Sequence, residues 1–438
     1  MLVPHIMSGQ TVGVLGLGSS GMAAIAALHA AGVTVFAHDD HTVKSAPAHG
    51  TLLAWQDWPW QKLDALVISP GIPHLHPTPH PAAARAAAAK IDIISEVEIA
   101  LRAAPQAKLV IITGTNGKST TTALVGHCLA AAGRPVAVGG NIGVAACALD
   151  DPGPDGSIIL ELSSYQLETT PSLAPAVAVV LNITPDHLDR HAGMAGYVAA
   201  KARALIALPA TGTAILGASD KFVQQLAKDC QTRGITTHIV TPALAPEGRQ
   251  HCTALVGDHN AENAAAAAMV LRNLGLAEDD INRGMATFAG LPHRLQTVAS
   301  TGSVTFVNDS KATNGTAAAK AVAAFSHIYW VAGGLAKEDG LDPVMPYIGN
   351  VEKAYLIGTA ATQFATILKG HCAASIYDSL HSAMHAAFND ARNSAAGGTI
   401  LLAPAAASFD QFANFGARGD VFCDIATALC HPQGGAYA

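Results

Sequence analysis

Lys108-Leu109-Val110-Ile111-Ile112-Thr113-Gly114-Thr115-Asn116-Gly117-Lys118-Ser119-Thr120 decides the fold of this chain. Its first six residues are an apolar, β-branched run, which reads as a buried strand. A glycine loop follows, and Thr121–Ala132 reads as a helix. Strand, glycine loop, Lys-Ser-Thr and helix form the architecture that cradles nucleoside triphosphates. Backbone N–H groups and the helix N-terminus bind phosphate oxygens, Lys118 supplies a point charge, and the Ser119 hydroxyl reaches Mg²⁺. The general phosphate-loop pattern places a glycine where Ile112 stands, so this is a shorter variant.

On either side, short β-branched runs alternate with Ala-rich helical stretches. That alternation predicts an α/β chain with parallel sheets covered by helices. Three blocks emerge, taken as domains 1–104, 105–294 and 295–438. Strands are predicted at 11–15, 33–37 and 65–69 in the first. The second has them at 108–113, 157–162, 177–183, 213–216 and 235–240. The third has them at 304–307, 327–332, 354–357 and 399–402. Residues 70–81, rich in Pro and His, read as a loop.

The first block carries Gly16-Leu17-Gly18-Ser19-Ser20-Gly21 directly after a strand, with a helical stretch from Met22 to Ala31. Such a turn lets backbone N–H groups approach a diphosphate. Asp39 ends the next strand, where a carboxylate accepts from a ribose or base. A dinucleotide and a UDP-sugar fit this pattern equally well.

Two further stretches follow apolar strands in the second block. Glu161 ends one, and a carboxylate there is costly to bury unless paired or on a metal. Asn182-Ile183-Thr184-Pro185-Asp186-His187-Leu188-Asp189-Arg190 follows another, and His187 is a candidate metal ligand or base. Lys201 falls within a predicted helix, Tyr197–Leu208, and by spacing alone is a surface lysine.

Composition removes several classes. The 438 residues are 50% hydrophobic with a mean hydropathy of +0.30, but no run approaches the ~20 apolar residues that span a bilayer. The N-terminus lacks a secretory pattern. Seven cysteines without a Cys-x-x-Cys pair fit reduced thiols in a cytoplasmic protein. A net charge of −7 leaves no footprint for nucleic acid.

In order along the chain, these motifs resemble those of the Mur ligase family. The resemblance is carried by 16–21, 114–120, Gly139-Gly140-Asn141-Ile142-Gly143, 161–166, 182–190, 257–263, 291–294 and Asn308-Asp309-Ser310-Lys311-Ala312-Thr313-Asn314. The segment 403–415 points within the family to addition of D-glutamate. The sequence departs from the family's usual pattern at Ser20, where threonine is common, and at Ala406, where cysteine is common.

The resemblance implies three domains: Rossmann-like at the N-terminus, a central phosphate-loop ATPase-like parallel sheet, and a Rossmann-like C-terminal domain. It implies a cytoplasmic, monomeric, ATP-dependent acid–amino-acid ligase acting on UDP-N-acetylmuramoyl-L-alanine and D-glutamate, with no nucleic-acid or membrane partner. Gly114, Thr115, Asn116, Gly117, Lys118, Ser119, Thr120, Asn260, Asn263, Arg294 and Asp309 would bind ATP. Gly18, Ser19, Ser20, Asp39 and Asn141 would face the UDP-sugar. Lys311, Thr313, Lys337, Ser408 and Phe415 would surround the amino acid and acyl group. Two Mg²⁺ ions are implied, one on Ser119 and Glu161, the other on His187 and a carbamylated Lys201. Lys118, His187, Lys201 and Lys311 would be catalytic. A dehydrogenase leaves the phosphate loop unexplained, and a phosphate-loop motor or kinase leaves the N-terminal turn unexplained. A folylpolyglutamate-type ligase and an inactive binding homologue are the other rivals.

Overall fold

The computed structural model describes residues 1–430 apart from 42–46, 219 and 337–339, and it leaves out the side chain of Thr253. It contains three large sheets. The first comprises β1 (Thr11–Leu15), β2 (Thr34–His38), β3 (Thr51–Leu52), β4 (Ala65–Ile68) and β5 (Asp92–Ile94). Their order is β3-β2-β1-β4-β5, parallel throughout.

The second sheet comprises β6 (Lys108–Thr113), β7 (Val136–Gly140), β8 (Ser157–Glu161), β9 (Val177–Val180), β10 (Thr213–Gly217) and β11 (Thr236–Val240). It is also all parallel, in the order β11-β10-β9-β6-β8-β7. β1 and β6, each followed by a glycine loop, are interior strands from which the order runs both ways. Ligands bind at such switch points, beyond the C-terminal ends of the strands.

The third contains β12 (Gln296–Thr301), β13 (Val304–Asn308), β14 (Ile328–Gly333), β16 (Val351–Ile357), β17 (Ala373–Ile376) and β18 (Gly398–Leu402). β15 (Leu335–Ala336) pairs separately with β19 (Ala406–Ala407). The order is β12-β13-β18-β14-β16-β17. This sheet is parallel as expected except at one edge, where β12 runs antiparallel to β13. A two-residue turn joins those strands, and a hairpin needs no crossover helix.

The chain forms two compact units. The first contains Met1–Arg249 with Asn260–Thr287, and so holds the first two sheets; the second holds the third. Each large sheet is mostly apolar on both faces, as parallel sheets covered by helices must be. β4, β8, β9 and β10 are buried along their whole length. Among the described residues no helix is long and apolar enough to cross a membrane, and no disulfide forms among the seven cysteines.

The His- and Pro-rich stretch has a defined role in the first unit. His80 caps the helix Pro81–Ala88, its Nδ1 accepting from the Ala82 amide at 3.1 Å. Its Nε2 lies 2.9 Å from Asp40 Oδ2, and His74 Nε2 lies 3.8 Å from Glu168 Oε2. The loop is thereby fastened to the end of β2 and to the helix Ser164–Glu168.

Candidate active site

The loop after β6 turns through Gly114 and Gly117, both at positive φ, and enters the helix Lys118–Ala131. Position 117 tolerates no side chain: φ is +86°, and a Cβ would stand 2.2 Å from Asn263 Oδ1. Asn182, just beyond β9, clamps the loop. Its side chain accepts from the Asn116 amide at 2.8 Å and donates to the Asn116 carbonyl at 3.1 Å, while its own carbonyl accepts from the Thr115 amide at 2.8 Å. Lys118 is the first helical residue, and its Nζ donates to the Gly114 and Thr115 carbonyls at 2.9 and 2.8 Å. A nucleotide phosphate competes with those carbonyls for the ammonium.

Glu161 ends β8, its Cα in register with Ile112 of β6. It is 2% exposed. Oε1 accepts from Asn141 Nδ2 at 2.9 Å, whereas Oε2 is buried with no hydrogen-bond partner among the described residues. A buried carboxylate oxygen left in this state is costly, and a cation at that oxygen removes the cost.

Lys201 overturns its surface reading: it is 2% exposed. Nζ donates to the Gly114 carbonyl at 2.8 Å and lies 4.7 Å from the centre of the Tyr197 ring. Burial pushes its pKa well below the ordinary lysine range. Lys118 adds to the fall, and Asp186 and Glu161 oppose it. His187, at φ 52°, lies with Nε2 3.5 Å from Asp186 Oδ2.

A cavity of about 250 Å³ collects these groups. Lys118, Asn141, Asp186, His187 and Lys201 line it with Ser163, Ser164, Tyr165, Tyr197, Pro70 and Gly71. Burial raises the Tyr165 hydroxyl to about 12 despite the nearby Arg190. Asn260 and Asn263 are buried side by side, Asn263 Nδ2 donating to Asn260 Oδ1 at 3.1 Å. Among the described residues no three His, Cys, Asp or Glu form a complete metal cage. The unpartnered oxygen of Glu161 suits an ion that completes its shell with phosphate oxygens and water, as Mg²⁺ does.

The turn at 16–21 does not line that cavity but adjoins it at the ends of β1 and β2, where Ser69, next to the lining residue Pro70, donates its hydroxyl to the Gly16 carbonyl at 3.1 Å. Gly18 caps a helix that starts at Ser19, so Ser19 and Ser20 are helical and the expected start at Met22 is three residues late. Asp39 already accepts from the Leu17 amide at 2.6 Å and the His41 amide at 2.9 Å. Burial opposes its ionisation, but these two N–H groups hold its pKa below the usual range. Its first role is to fix the turn.

The second unit carries its own set. Asp309 follows β13 and accepts from the Leu295 amide at 3.3 Å. Burial raises its pKa to about 7, against the pull of Arg294 and this amide. Lys311 Nζ sits 4.0 Å from the centre of the Phe415 ring. Thr313 shares the turn, its amide donating to the Lys311 carbonyl at 2.8 Å. Ser408 is buried, and its carbonyl accepts from the amides of Gln411 and Phe412. Lys337 lies outside the described residues.

Arg418 belongs with this set and was missed in the sequence. It is 1% exposed, and its guanidinium donates to Ser310 Oγ, the Ser310 carbonyl and the carbonyls of Ala406 and Gly333. One side chain thus ties together the loops after β13, β14 and β18. Burial lowers its pKa to about 10, with Asp410 opposing. Tyr165 and Tyr197 were also passed over, although both line the cavity.

A phosphate loop facing a buried carboxylate and a buried lysine, in a chain of three α/β sheets, defines an α/β protein that handles nucleotide phosphates. The chain belongs to the Mur ligase family. Residues 112–251 match the Mur ligase middle domain, and residues 293–406 match the Mur ligase glutamate ligase domain. A UDP-N-acetylmuramoylalanine–D-glutamate ligase of Rhodopseudomonas palustris (strain HaA2) is 42% identical over 96% of this chain and 97% of its own length. The ligase of the same name from Paramagnetospirillum magneticum is 42% identical over the whole of both chains. In fold, the chain is similar to the crystal structures of UDP-N-acetylmuramate–alanine ligase from Thermotoga maritima and MurF from Acinetobacter baumannii. The first has a TM-score of 0.61 at 14% identity, covering 96% of this chain and 99% of its own. The second has a TM-score of 0.55 at 16% identity, covering 96% and 91%.

Proposed function

We propose that this chain joins the amine of D-glutamate to the carboxylate of UDP-N-acetylmuramoyl-L-alanine, with cleavage of ATP to ADP and phosphate. The single observation that carries the choice among Mur ligases is full-length identity of about 40% to relatives of that name. The activity is cytoplasmic, and the chain works as a monomer; the resemblance of its motifs to the family supports both.

A carboxylate does not acylate an amine, so ATP must activate it. The muramoyl-alanine carboxylate attacks the γ-phosphorus, ADP leaves, and an acyl phosphate forms. The D-glutamate amine, having lost a proton, adds to the acyl carbon, and the tetrahedral adduct expels phosphate to leave the amide. Two anions must meet in the first step, so the work of the site is electrostatic. Lys118 turns from the loop carbonyls to the phosphates. Asn182 and Asn263 hold the loop's shape against that charge.

Ser119 and Glu161 would hold one Mg²⁺, and His187 with carbamylated Lys201 a second; bound there, the ions neutralise charge on the transferring phosphoryl group. An ammonium cannot ligate a cation. The depressed pKa of Lys201 supports a neutral amine, which adds CO₂ to become an anionic carbamate with loss of one proton. Residues 1–104 would take the UDP-sugar through Gly18, Ser19, Ser20 and Asp39, residues 105–294 the ATP, and residues 295–438 the amino acid through Lys311, Thr313, Lys337, Ser408 and Phe415. Asn141 would meet the UDP-sugar from the central block, Arg294 and Asp309 the ATP.

Phosphate release from ATP and Mg²⁺ with UDP-N-acetylmuramoyl-L-alanine tests the reading, comparing D-glutamate, L-glutamate and L-alanine. Release with D-glutamate alone is the expected result. Release with L-alanine alone would keep the ligase chemistry and overturn the choice of amino acid.

A further inference from the structure

Beside the candidate metal ligands, four side chains of the first unit form a chain of polar contacts that the reaction does not use. Ser164 Oγ lies 2.9 Å from His191 Nε2. His191 Nδ1 lies 3.2 Å from Glu168 Oε1, and the other Glu168 oxygen lies 3.8 Å from His74 Nε2. His191 is 3% exposed. An imidazole so buried is stable only with both nitrogens satisfied, and here both are. The carboxylate at Nδ1 favours the tautomer with its proton on that nitrogen, which leaves Nε2 to accept from the Ser164 hydroxyl.

What this anchored ring touches gives its purpose. It stacks on Tyr165, with centroids 5.2 Å apart and planes 10° apart, and meets Tyr197 at 5.3 Å. Tyr165 also meets the His187 ring at 5.5 Å and the Arg190 guanidinium at 4.5 Å. Tyr197 lies under Lys201, and its hydroxyl meets Thr115 Oγ1 of the phosphate loop at 3.1 Å. Each candidate ligand of the second ion is thus one tyrosine away from His191.

We infer that His191, held at both nitrogens by Ser164 and Glu168, is a positioning residue for the ligation reaction that sets His187 and Lys201 through the rings of Tyr165 and Tyr197. The inference rests on the ligand assignment made under Proposed function. Supporting side chains around metal ligands typically contribute about 10–100-fold in affinity or rate.

The test titrates Mn²⁺ against the full-length protein in the presence of ADP, read by electron paramagnetic resonance, alongside steady-state kinetics. His191→Phe keeps a ring and removes both hydrogen bonds, and Ser164→Ala removes one hydroxyl. Each should weaken Mn²⁺ binding and lower kcat by about 10-fold, with KM for D-glutamate unchanged. The double variant should be no worse than His191→Phe, because the two act as a unit, and His191→Gln should recover part of the loss. If His191→Phe does not fold, Ser164→Ala carries the test alone. Unchanged Mn²⁺ affinity and kcat, with at most a lower Tm, would overturn the inference and return His191 to packing. Unchanged Mn²⁺ affinity in His187→Ala would instead overturn the ligand assignment beneath it.

Discussion

Asn263 occupies the space that a side chain at position 117 would need: its Oδ1 stands 2.2 Å from the Cβ that Gly117 lacks. The glycine is required twice over, by φ +86° and by this approach. Gly117→Ala must move the loop, the Asn263 side chain or the helix Asp258–Asn273 that carries it. Strain of this kind costs about 1–3 kcal/mol, and it falls on the loop proposed to take the ATP phosphates. The expected outcome is a Kd for ATP raised at least about 10-fold, equivalent to about 1.4 kcal/mol, with a lower Tm. Calorimetric titration of ATP settles it, and an unchanged Kd would show that the loop tolerates the methyl group.

Glu161 offers a different signature. Its Oε2 is buried with no hydrogen-bond partner among the described residues, so the carboxylate is costly to the empty fold. Glu161→Gln keeps an oxygen for Asn141 and removes the charge. Stability should hold or rise while turnover falls by at least about 100-fold, the trade expected where a site holds strain for function. Thermal melts and phosphate release, run on the same samples across a Mg²⁺ series, read both. Near-normal turnover would remove Glu161 from the metal site.

The parts of this site that were legible in sequence share one cause. Gly114–Thr120, Glu161 and His187 follow apolar strands, and strand ends followed by glycine or clustered polar residues are visible as pattern. Lys201 was legible only through resemblance. The helix Met194–Ile206 is so rich in alanine that apolar periodicity does not tell its faces apart, and only packing shows Lys201 inside. His191 is one of 20 histidines, and nothing local marks it; Ser164 and Glu168 meet it only once the chain folds. Arg418 sits on a helix, Phe415–Cys430, where an arginine reads as solvent-facing. The strand β12 alternates exposed and half-buried positions without an apolar run, and β3, β15 and β19 are two residues each. Such edges are made by their neighbours, not by their own composition.

Glu96 should contribute a loss of stability as pH rises toward neutrality. This carboxyl is 1% exposed in the helix Glu96–Arg102. Burial raises its pKa from an ordinary 4.5 to about 7, although the Cys147 amide at 3.2 Å and Gln166 Nε2 at 3.5 Å favour the charged form. Between pH 4.5 and about 7 the folded chain keeps a proton that the unfolded chain has released. Stability therefore drops through that interval, by an amount on the order of 3 kcal/mol, and levels off above it. Glu96→Gln cannot ionise and should remove this part of the slope. Asp309 has the same sign, so the readout is the difference between wild type and variant in urea melts at pH 5 and pH 8. Equal slopes would mean that Glu96 titrates near its ordinary value.

Among the described residues Arg418 has no carboxylate in hydrogen-bond reach: Nε donates to Ser310 Oγ at 3.0 Å, and the two terminal nitrogens reach the carbonyls of Ser310, Ala406 and Gly333 at 3.0, 3.2 and 3.3 Å. Arg418→Met fills the volume but strands those acceptors, and leaving a buried polar group unsatisfied costs about 1–3 kcal/mol. Arg418→Lys keeps the charge, yet an ammonium cannot span three loops as a planar fork does. It should fold with an intermediate Tm. Ser310 Oγ also donates to the Phe415 carbonyl at 2.8 Å, and Lys311 follows it in the chain. Slack in this knot therefore reaches the groups assigned to the amino acid. KM for D-glutamate should rise in Arg418→Lys while KM for ATP stays the same. A parallel rise in both constants would mean that the second unit had loosened as a whole, and that Arg418 supports the fold without singling out the amino-acid side.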